Sequence, residues 1–345
     1  MSLQDYDYSS RLAREFRDSL GSEATRESYY YAITGFMHYL GIENKDDYSE
    51  LLVYGQQPKL IQSQIIDYIM YLRNSKKVSS SKINIVFHAI KHFYKTVAEL
   101  EGINWDKIAR FKGENKTTIE KRPYTKDEIY KLLDAAADLR DKAMILVAAS
   151  SGLRRDAIRL LTIGDLKLVD KYNLYQLTVY PKTEQQYIAF CTPEATKVIN
   201  EYLEWRKRRG ESFNNESPLF RKQFNNRDLL KIRAPAQFLT LKAMDFIINK
   251  LLDKTGVRQS QKLTEGKKIP DKTEIAQWHS FRYFYDTTLT FAGVGSVISE
   301  MLMGHDIGLK RRYFKPTDIQ KLEGKGEERG YATAIPALTI QSTKE

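Results

Sequence analysis

Between Trp105 and Pro123 the chain reads WDKIARFKGENKTTIEKRP, a stretch that loses apolar periodicity, gains charge and ends in a residue that resists helix continuation. A single hydrophobic core does not run through such a segment, so two separate bodies are expected. The length of 345 residues agrees, because one core seldom serves so long a chain. Residues 1–110 read as an N-terminal domain, 111–123 as a linker, 124–316 as a second domain and 317–345 as a C-terminal tail.

The first domain is helical by its pattern. In ATRESYYYAITGFMHYLG the positions Ile33, Phe36, Met37 and Leu40 recur at helical spacing, with Gly41 placed to stop the helix. A second stripe runs through Ile61, Ile65, Ile69 and Leu72, and a third through Ile83, Phe87, Ile90, Tyr94 and Val97. In the second domain Thr125 and Glu128 have the spacing of a capping box ahead of Ile129, Leu132 and Leu133. NLYQLTVY and QQYIAFC are short, aromatic and β-branched, and the PKTE between them supplies turn residues, which predicts a β-hairpin with Lys182 at its tip. Helices resume at PEATKVINEYLEWRKRRG and TLKAMDFIINKLLDKTG, whereas residues 257–273 read as a polar, lysine-rich loop.

Composition narrows the partners. Lysine and arginine outnumber aspartate and glutamate by 55 to 44, a formal charge of +11, which suits a polyanion and favours nucleic acid over an acidic membrane. The single cysteine, Cys191, cannot close an intrachain disulfide, and no paired Cys/His spacing suggests a zinc site. With no signal-peptide core at the start and no apolar run long enough to span a bilayer, a cytoplasmic, DNA-associated protein without a membrane partner is expected.

Three stretches have chemical potential. In SSGLRRDAIRLL, Gly152 marks a tight entry into a helix and leaves Arg154 near its N-terminal end, where a guanidinium fork matches two phosphate oxygens. In AQWHSFRYFYDTTL, His279 and Arg282 are three apart and share a helix face, while Trp278, Phe281 and Tyr285 point inward. In GHDIGLKRRYFKP, His305 follows a helix stopped by Gly304, and Tyr313 lies among Lys310, Arg311, Arg312 and Lys315. A phenol with a pKa of about 10 becomes a nucleophile when cations steady the phenolate or a base takes its proton. The same cations would neutralise a five-coordinate phosphoryl transition state. Taken singly, each stretch also fits a bland reading as solvated surface or satisfied core. Asp156, Asp286 and Asp306 show no metal-ligand spacing, and no GxxxxGK[ST] loop for ATP is present, so neither cofactor nor metal is expected.

Arginine after a glycine, lysine on a hairpin, His-x-x-Arg, Gly-His and then tyrosine, in that order, resemble the catalytic domain of the tyrosine recombinases, the phage-integrase, Xer and Cre family. The helical first domain is similar to that family's core-binding domain, and the short interval from His305 to Tyr313 is most similar to integrases of archaeal viruses and plasmids. The resemblance implies a mainly α fold with a small β-hairpin or sheet, closing as a C-shaped clamp on double-stranded DNA, and a homo-tetramer on paired sites. It implies that Arg154 and Arg282 hold the scissile phosphate, that Lys182 protonates the leaving 5′ oxygen and that His279 is a general acid/base. It further implies that His305 donates to a nonbridging oxygen and that Tyr313 forms a 3′-phosphotyrosyl link, without metal or ATP. In this family such tails dock on a neighbouring subunit; a frayed terminus is the alternative here.

Three positions depart from the family pattern. Ala157 stands where an acidic residue usually braces the site, with Asp156 beside it; Tyr283 stands where histidine is common; and the His305 to Tyr313 interval is one residue shorter than in bacterial members. Lys76, Lys77 and Lys82 in the first domain, with Lys207, Arg208 and Arg209 in the second, are candidate phosphate contacts. Two rival readings accompany the site-specific recombinase: a type IB topoisomerase-like relaxing enzyme, and a noncatalytic architectural DNA-binding protein.

Overall fold

The computed structural model describes residues 3–52, 57–113, 120–222, 234–258 and 274–341. The chain divides into two compact units, residues 1–118 and 119–345. Most of the 257–273 stretch expected as a loop lies outside the described residues.

The first unit is built from α1 (Leu3–Asp18), α2 (Glu23–Tyr39), α3 (Pro58–Asn74), α4 (Ser80–His92) and α5 (Trp105–Ala109). Each of α2, α4 and α5 starts where a side chain accepts a backbone N–H that the helix leaves free: Ser22 from Thr25, Ser79 from Lys82 and Asn104 from Lys107. The stripes read from the sequence meet inside, with Ile33, Phe36, Ile65, Ile69, Ile83 and Ile90 wholly buried. Two elements differ from the sequence reading. The first helix, α1, carries Leu12 and Phe16 into this core, and α5 does the same with Ile108, so the aperiodic break begins after Trp105 rather than at it.

The second unit starts with the capping box at Thr125 and Glu128, both halves of which form, opening α6 (Lys126–Ala135). It continues with α7 (Leu139–Ser151) and α8 (Arg155–Leu160). The expected hairpin is there as β2 (Leu174–Val179) and β3 (Tyr187–Phe190), paired antiparallel with Val179 opposite Tyr187. A further strand, β1 (Leu166–Val169), adds to β2, so the element is a three-stranded antiparallel sheet rather than a lone hairpin. Its sequence LKLV exposes both central residues, which hides it from a search for apolar alternation. Then follow α9 (Pro193–Arg208), α10 (Leu241–Thr255), α11 (Trp278–Phe291), α12 (Ser296–Leu302), α13 (Lys310–Tyr313) and α14 (Asp318–Glu323). A two-residue ladder of β4 (Gly324–Lys325) with β5 (Glu328–Arg329) and a last turn, α15 (Ile335–Leu338), complete the described chain.

As far as it is described, residues 317–341, the tail folds back on its own unit. Tyr331, Ala334 and Leu338 are buried in the same core as α7 and α11, and the Tyr331 hydroxyl donates to the Ser150 carbonyl at 2.8 Å. Glu194, in the first turn of α9, accepts the backbone N–H groups of Ile340 and Gln341 at 2.9 Å each. Among the described residues no helix is long and apolar enough to cross a membrane.

The end of α9 is pinned by a buried ion cluster. Arg206, with no exposed surface, donates to both Glu211 oxygens at 2.6 and 3.0 Å and to the Pro218 and Leu219 carbonyls, while Arg221 adds a second guanidinium 2.9 Å from Glu211. Burial opposes charge on Glu211, but the two guanidiniums override it and hold its carboxyl below the ordinary carboxylate range. A carboxyl whose folded pKa is depressed stabilises the fold above its unfolded value and loses that contribution as pH falls through the folded one. Replacing Glu211 by Ala strands two buried cations and is expected to lower unfolding stability by about 3–5 kcal/mol. Urea denaturation of the full chain measures this, and the difference between wild type and variant should shrink as the pH is lowered below the carboxylate range.

Candidate functional site

The site is assembled around Arg282, on the second turn of α11. Its side chain is buried, and it reaches two distant pieces of backbone: Nη1 donates to the Gly152 carbonyl at 2.7 Å and Nη2 to the Met303 carbonyl at 2.8 Å. Burial, and then the nearby positive charge of Arg154, lower its pKa from the usual guanidinium value.

Each carbonyl belongs to a glycine turn. Gly152 ends α7 in the left-handed conformation (φ +60), and a Cβ there would overlap the Tyr285 ring, so position and neighbour both demand glycine. Two residues on, Arg154 is the N-cap of α8 and is exposed; its guanidinium has no hydrogen-bond or ion-pair partner among the described residues. Gly304 (φ +65) ends α12 in a Schellman turn: its own N–H donates to the Met301 carbonyl at 3.1 Å and that of His305 to the Glu300 carbonyl at 3.0 Å. The turn folds His305 back over α12, where Nδ1 meets the Glu300 carboxylate and Nε2 meets Arg282 Nη2, each at 2.5 Å.

Those partners assign the imidazole. Glu300 can only accept, so Nδ1 carries the proton; Arg282 can only donate, so Nε2 accepts. In this state His305 presents a lone pair, not the donor that the resemblance implies. Donation to a phosphate oxygen requires a second proton on the ring and displacement of Arg282 from Nε2.

Two adjoining clefts share Arg154. One, of about 680 Å³, is lined by Arg154, Tyr180, Tyr187, His305 and Arg311 among others. The other, of about 350 Å³, brings Arg154 together with His279 and Arg282. His279, second residue of α11, is exposed and packs edge-on against Tyr283 at 4.6 Å. Partial burial, followed by the charges of Arg282 and Arg154, lowers its pKa below the ordinary 6.5.

The structure therefore gathers Arg154, His279, Arg282 and His305. Lys182 and Tyr313 line neither cleft. Lys182 sits in the loop of residues 180–186 between β2 and β3, where both Tyr180 (φ +52) and Lys182 (φ +62) hold left-handed backbone, a cost of roughly 1–2 kcal/mol for each non-glycine residue. Tyr313, the last residue of α13, is 87% exposed. Asp156 does not stand in for the missing acid at 157: its carboxylate is taken by Arg159 at 2.7 Å, and Ala157 is buried in the core. Main-chain carbonyls brace Arg282 instead. Glu300 escaped the sequence reading, although a carboxylate five residues before the histidine of a Gly-His pair is the signal that a Schellman turn converts into a contact.

The candidate phosphate contacts outside the clefts differ between the units. In the first, residues 75–98 contain no Asp or Glu, and Lys82 is exposed in the first turn of α4, with Lys76 5.6 Å from the centre of the Tyr71 ring. In the second, Lys207 is paired with Glu204 at 2.7 Å, Arg208 reaches the Glu204 carbonyl and Arg209 lies over Trp205, so that patch is partly spent on its own helix.

Residues 10–103 match the phage integrase N-terminal SAM-like domain. Over 90% of this chain and 96% of the other, the structure is similar to the Tn1549 transposon integrase in complex with transposon right end DNA, with a TM-score of 0.57 at 17% identity. The fold is that of the tyrosine recombinases. XerH site-specific recombinase bound to its difH substrate is similar over 92% of this chain and 93% of that one, with a TM-score of 0.53 at 14% identity. In sequence the chain is 23% identical over 155 residues to a Sinorhizobium fredii (strain NBRC 101917 / NGR234) protein that carries the name integrase/recombinase y4qK. That match spans 44% of this chain and about half, 47%, of the relative.

Because burial, and then the charges of Arg282 and Arg154, depress His279, its ring is expected to titrate below 6.5 and to be mostly neutral at pH 7. Imidazole NMR should show that midpoint rising toward 6.5 in Arg154→Ala; a midpoint unmoved by the substitution contradicts the charge coupling.

Proposed function

We propose that this protein is a site-specific DNA recombinase of the integrase type that breaks and rejoins duplex DNA through a tyrosyl intermediate. The observation that carries the reading is that Arg154, shared by two adjoining clefts, meets Arg282 and His279 in one and His305 in the other, with Arg282 fixed and Arg154 left without a side-chain partner among the described residues. Two guanidiniums that have no carboxylate to neutralise them bind a phosphodiester through charge-assisted forks. The similarity to an integrase in complex with transposon DNA supports the same substrate class.

In this reading Arg154 and Arg282 hold the nonbridging oxygens, and His279, neutral at pH 7, accepts the Tyr313 proton. The phenolate oxygen forms a bond to phosphorus as the bond to the 5′ oxygen breaks, and Lys182 gives that oxygen its proton. An ester is exchanged for an ester, so resealing by a 5′ hydroxyl reverses the step with no nucleotide consumed. Among the described residues no three His, Cys, Asp or Glu side chains gather as a metal site requires. Tyr313 and the Lys182 side chain enter the clefts on DNA, the left-handed Gly308 (φ +58) serving as a pivot before α13. The first unit, with its acid-free α4 surface, supplies further phosphate contacts, and paired sites bring four copies together.

Full chain is incubated in EDTA with a pool of nicked duplexes of randomised sequence and resolved on a denaturing gel. A covalent adduct is expected from wild type and none from Tyr313→Phe, and sequencing the trapped DNA gives the target. Binding without any adduct instead favours the architectural reading, for which Ala157 and the outlying Tyr313 speak. On trapped sites, Glu300→Gln should slow adduct formation about tenfold to a hundredfold, as loss of a hydrogen bond to a charged group does, while leaving DNA affinity within about twofold.

A further inference from the structure

Tyr187 opens β3 and stands in the wall of the larger cleft with Arg154 and His305. Its ring is clamped: a Cβ on Gly304 would overlap it, so the turn that presents His305 can form only as glycine against this phenol. Its hydroxyl is buried and makes no hydrogen bond of good geometry; Arg282 lies close enough to donate toward its oxygen, so that each alters the other's ionisation, but no group accepts its proton. Burial pushes the phenol up to about 12, against the pull of Arg282 and Arg154, so it remains protonated at neutral pH.

A guanidinium has no lone pair to offer and cannot take the phenol's proton. The acceptors around Arg282, the Gly152 and Met303 carbonyls and His305 Nε2, are all engaged by Arg282 itself. The O–H is left facing two cations and needing an anion. Tyr124 and Tyr285 also have unpartnered buried hydroxyls, but neither lines either of the two clefts around Arg154.

We propose that Tyr187 is a further ligand of the bound phosphate, its hydroxyl donating to the nonbridging oxygen that replaces His305 as the acceptor beside Arg282. This rests on the phosphodiester reading of the clefts and adds a group that the resemblance does not include. Tyr187→Phe keeps the ring under Gly304 and removes only the donor.

Inorganic phosphate titrated into the full chain by calorimetry is expected to bind about tenfold more weakly to Tyr187→Phe, and no differently to Tyr175→Phe, whose hydroxyl donates to Asn200. On a trapped duplex, Tyr187→Phe is expected to form adduct about tenfold more slowly with DNA affinity unchanged. With the scissile phosphate replaced by each methylphosphonate diastereomer, the difference from wild type should vanish for one and persist for the other. A defect surviving on both is a packing effect and overturns the proposal, as do equal phosphate affinities or a wild type that binds no phosphate. If the phosphate difference is found but wild type forms no adduct on any DNA, the recombinase reading fails while the anion ligand stands.

Discussion

A buried cation tied to two main-chain carbonyls organises the second unit. Arg282 joins the Gly152 turn, 130 residues earlier, to the Gly304 turn, 22 later, and so sets where Arg154 and His305 emerge. A guanidinium in this place cannot shed its charge, and its planar fork satisfies both carbonyls without closing off its remaining N–H groups. Each turn is in turn fixed by an aromatic ring pressed against a glycine, Tyr285 below Gly152 and Tyr187 below Gly304. Main-chain carbonyls hold Arg282 here, with a buried alanine at position 157.

Much of this was legible from the chain. Helical stripes such as Ile61, Ile65 and Ile69 report burial because a one-sided pattern has no other use, and the Thr125 capping box announced the second unit before any core residue did. The Gly-Leu-Arg, His-x-x-Arg and Gly-His pairs were legible as local turn and helix geometry. What brought them together was not, since the Arg282 contacts join segments far apart and involve carbonyls, which every residue has. The strand β1 was missed because LKLV is half exposed, and Arg206 was indistinguishable from Lys207 to Arg209 in a basic run although it is the one wholly inside. Glu300 could be found only by knowing that the chain reverses after Met303.

In the proposed reaction the nucleophile and the leaving-group acid lie on short, exposed segments of the unit. Tyr313 ends a four-residue helix, and Lys182 sits in a loop whose backbone is held in an unfavourable region. Arg154, His279 and His305 lie at helix termini and glycine turns. Under the proposed function such a division would keep the electrostatic frame ready while Tyr313 and Lys182 arrive with the DNA.

The tail adds a mechanical consequence. Tyr331 stacks near Tyr285 with ring centres 6.4 Å apart, packs against Phe190 at 5.5 Å, and donates to the carbonyl of Ser150, two residues before the Gly152 turn. The ring that underlies Gly152 therefore rests in part on the last segment of the polypeptide, like a floorboard on its joist. A chain trimmed ahead of Tyr331 loses not a loose appendage but the support beneath its own arginine, and an inactive truncation says as much about that missing support as about any surface the tail presents.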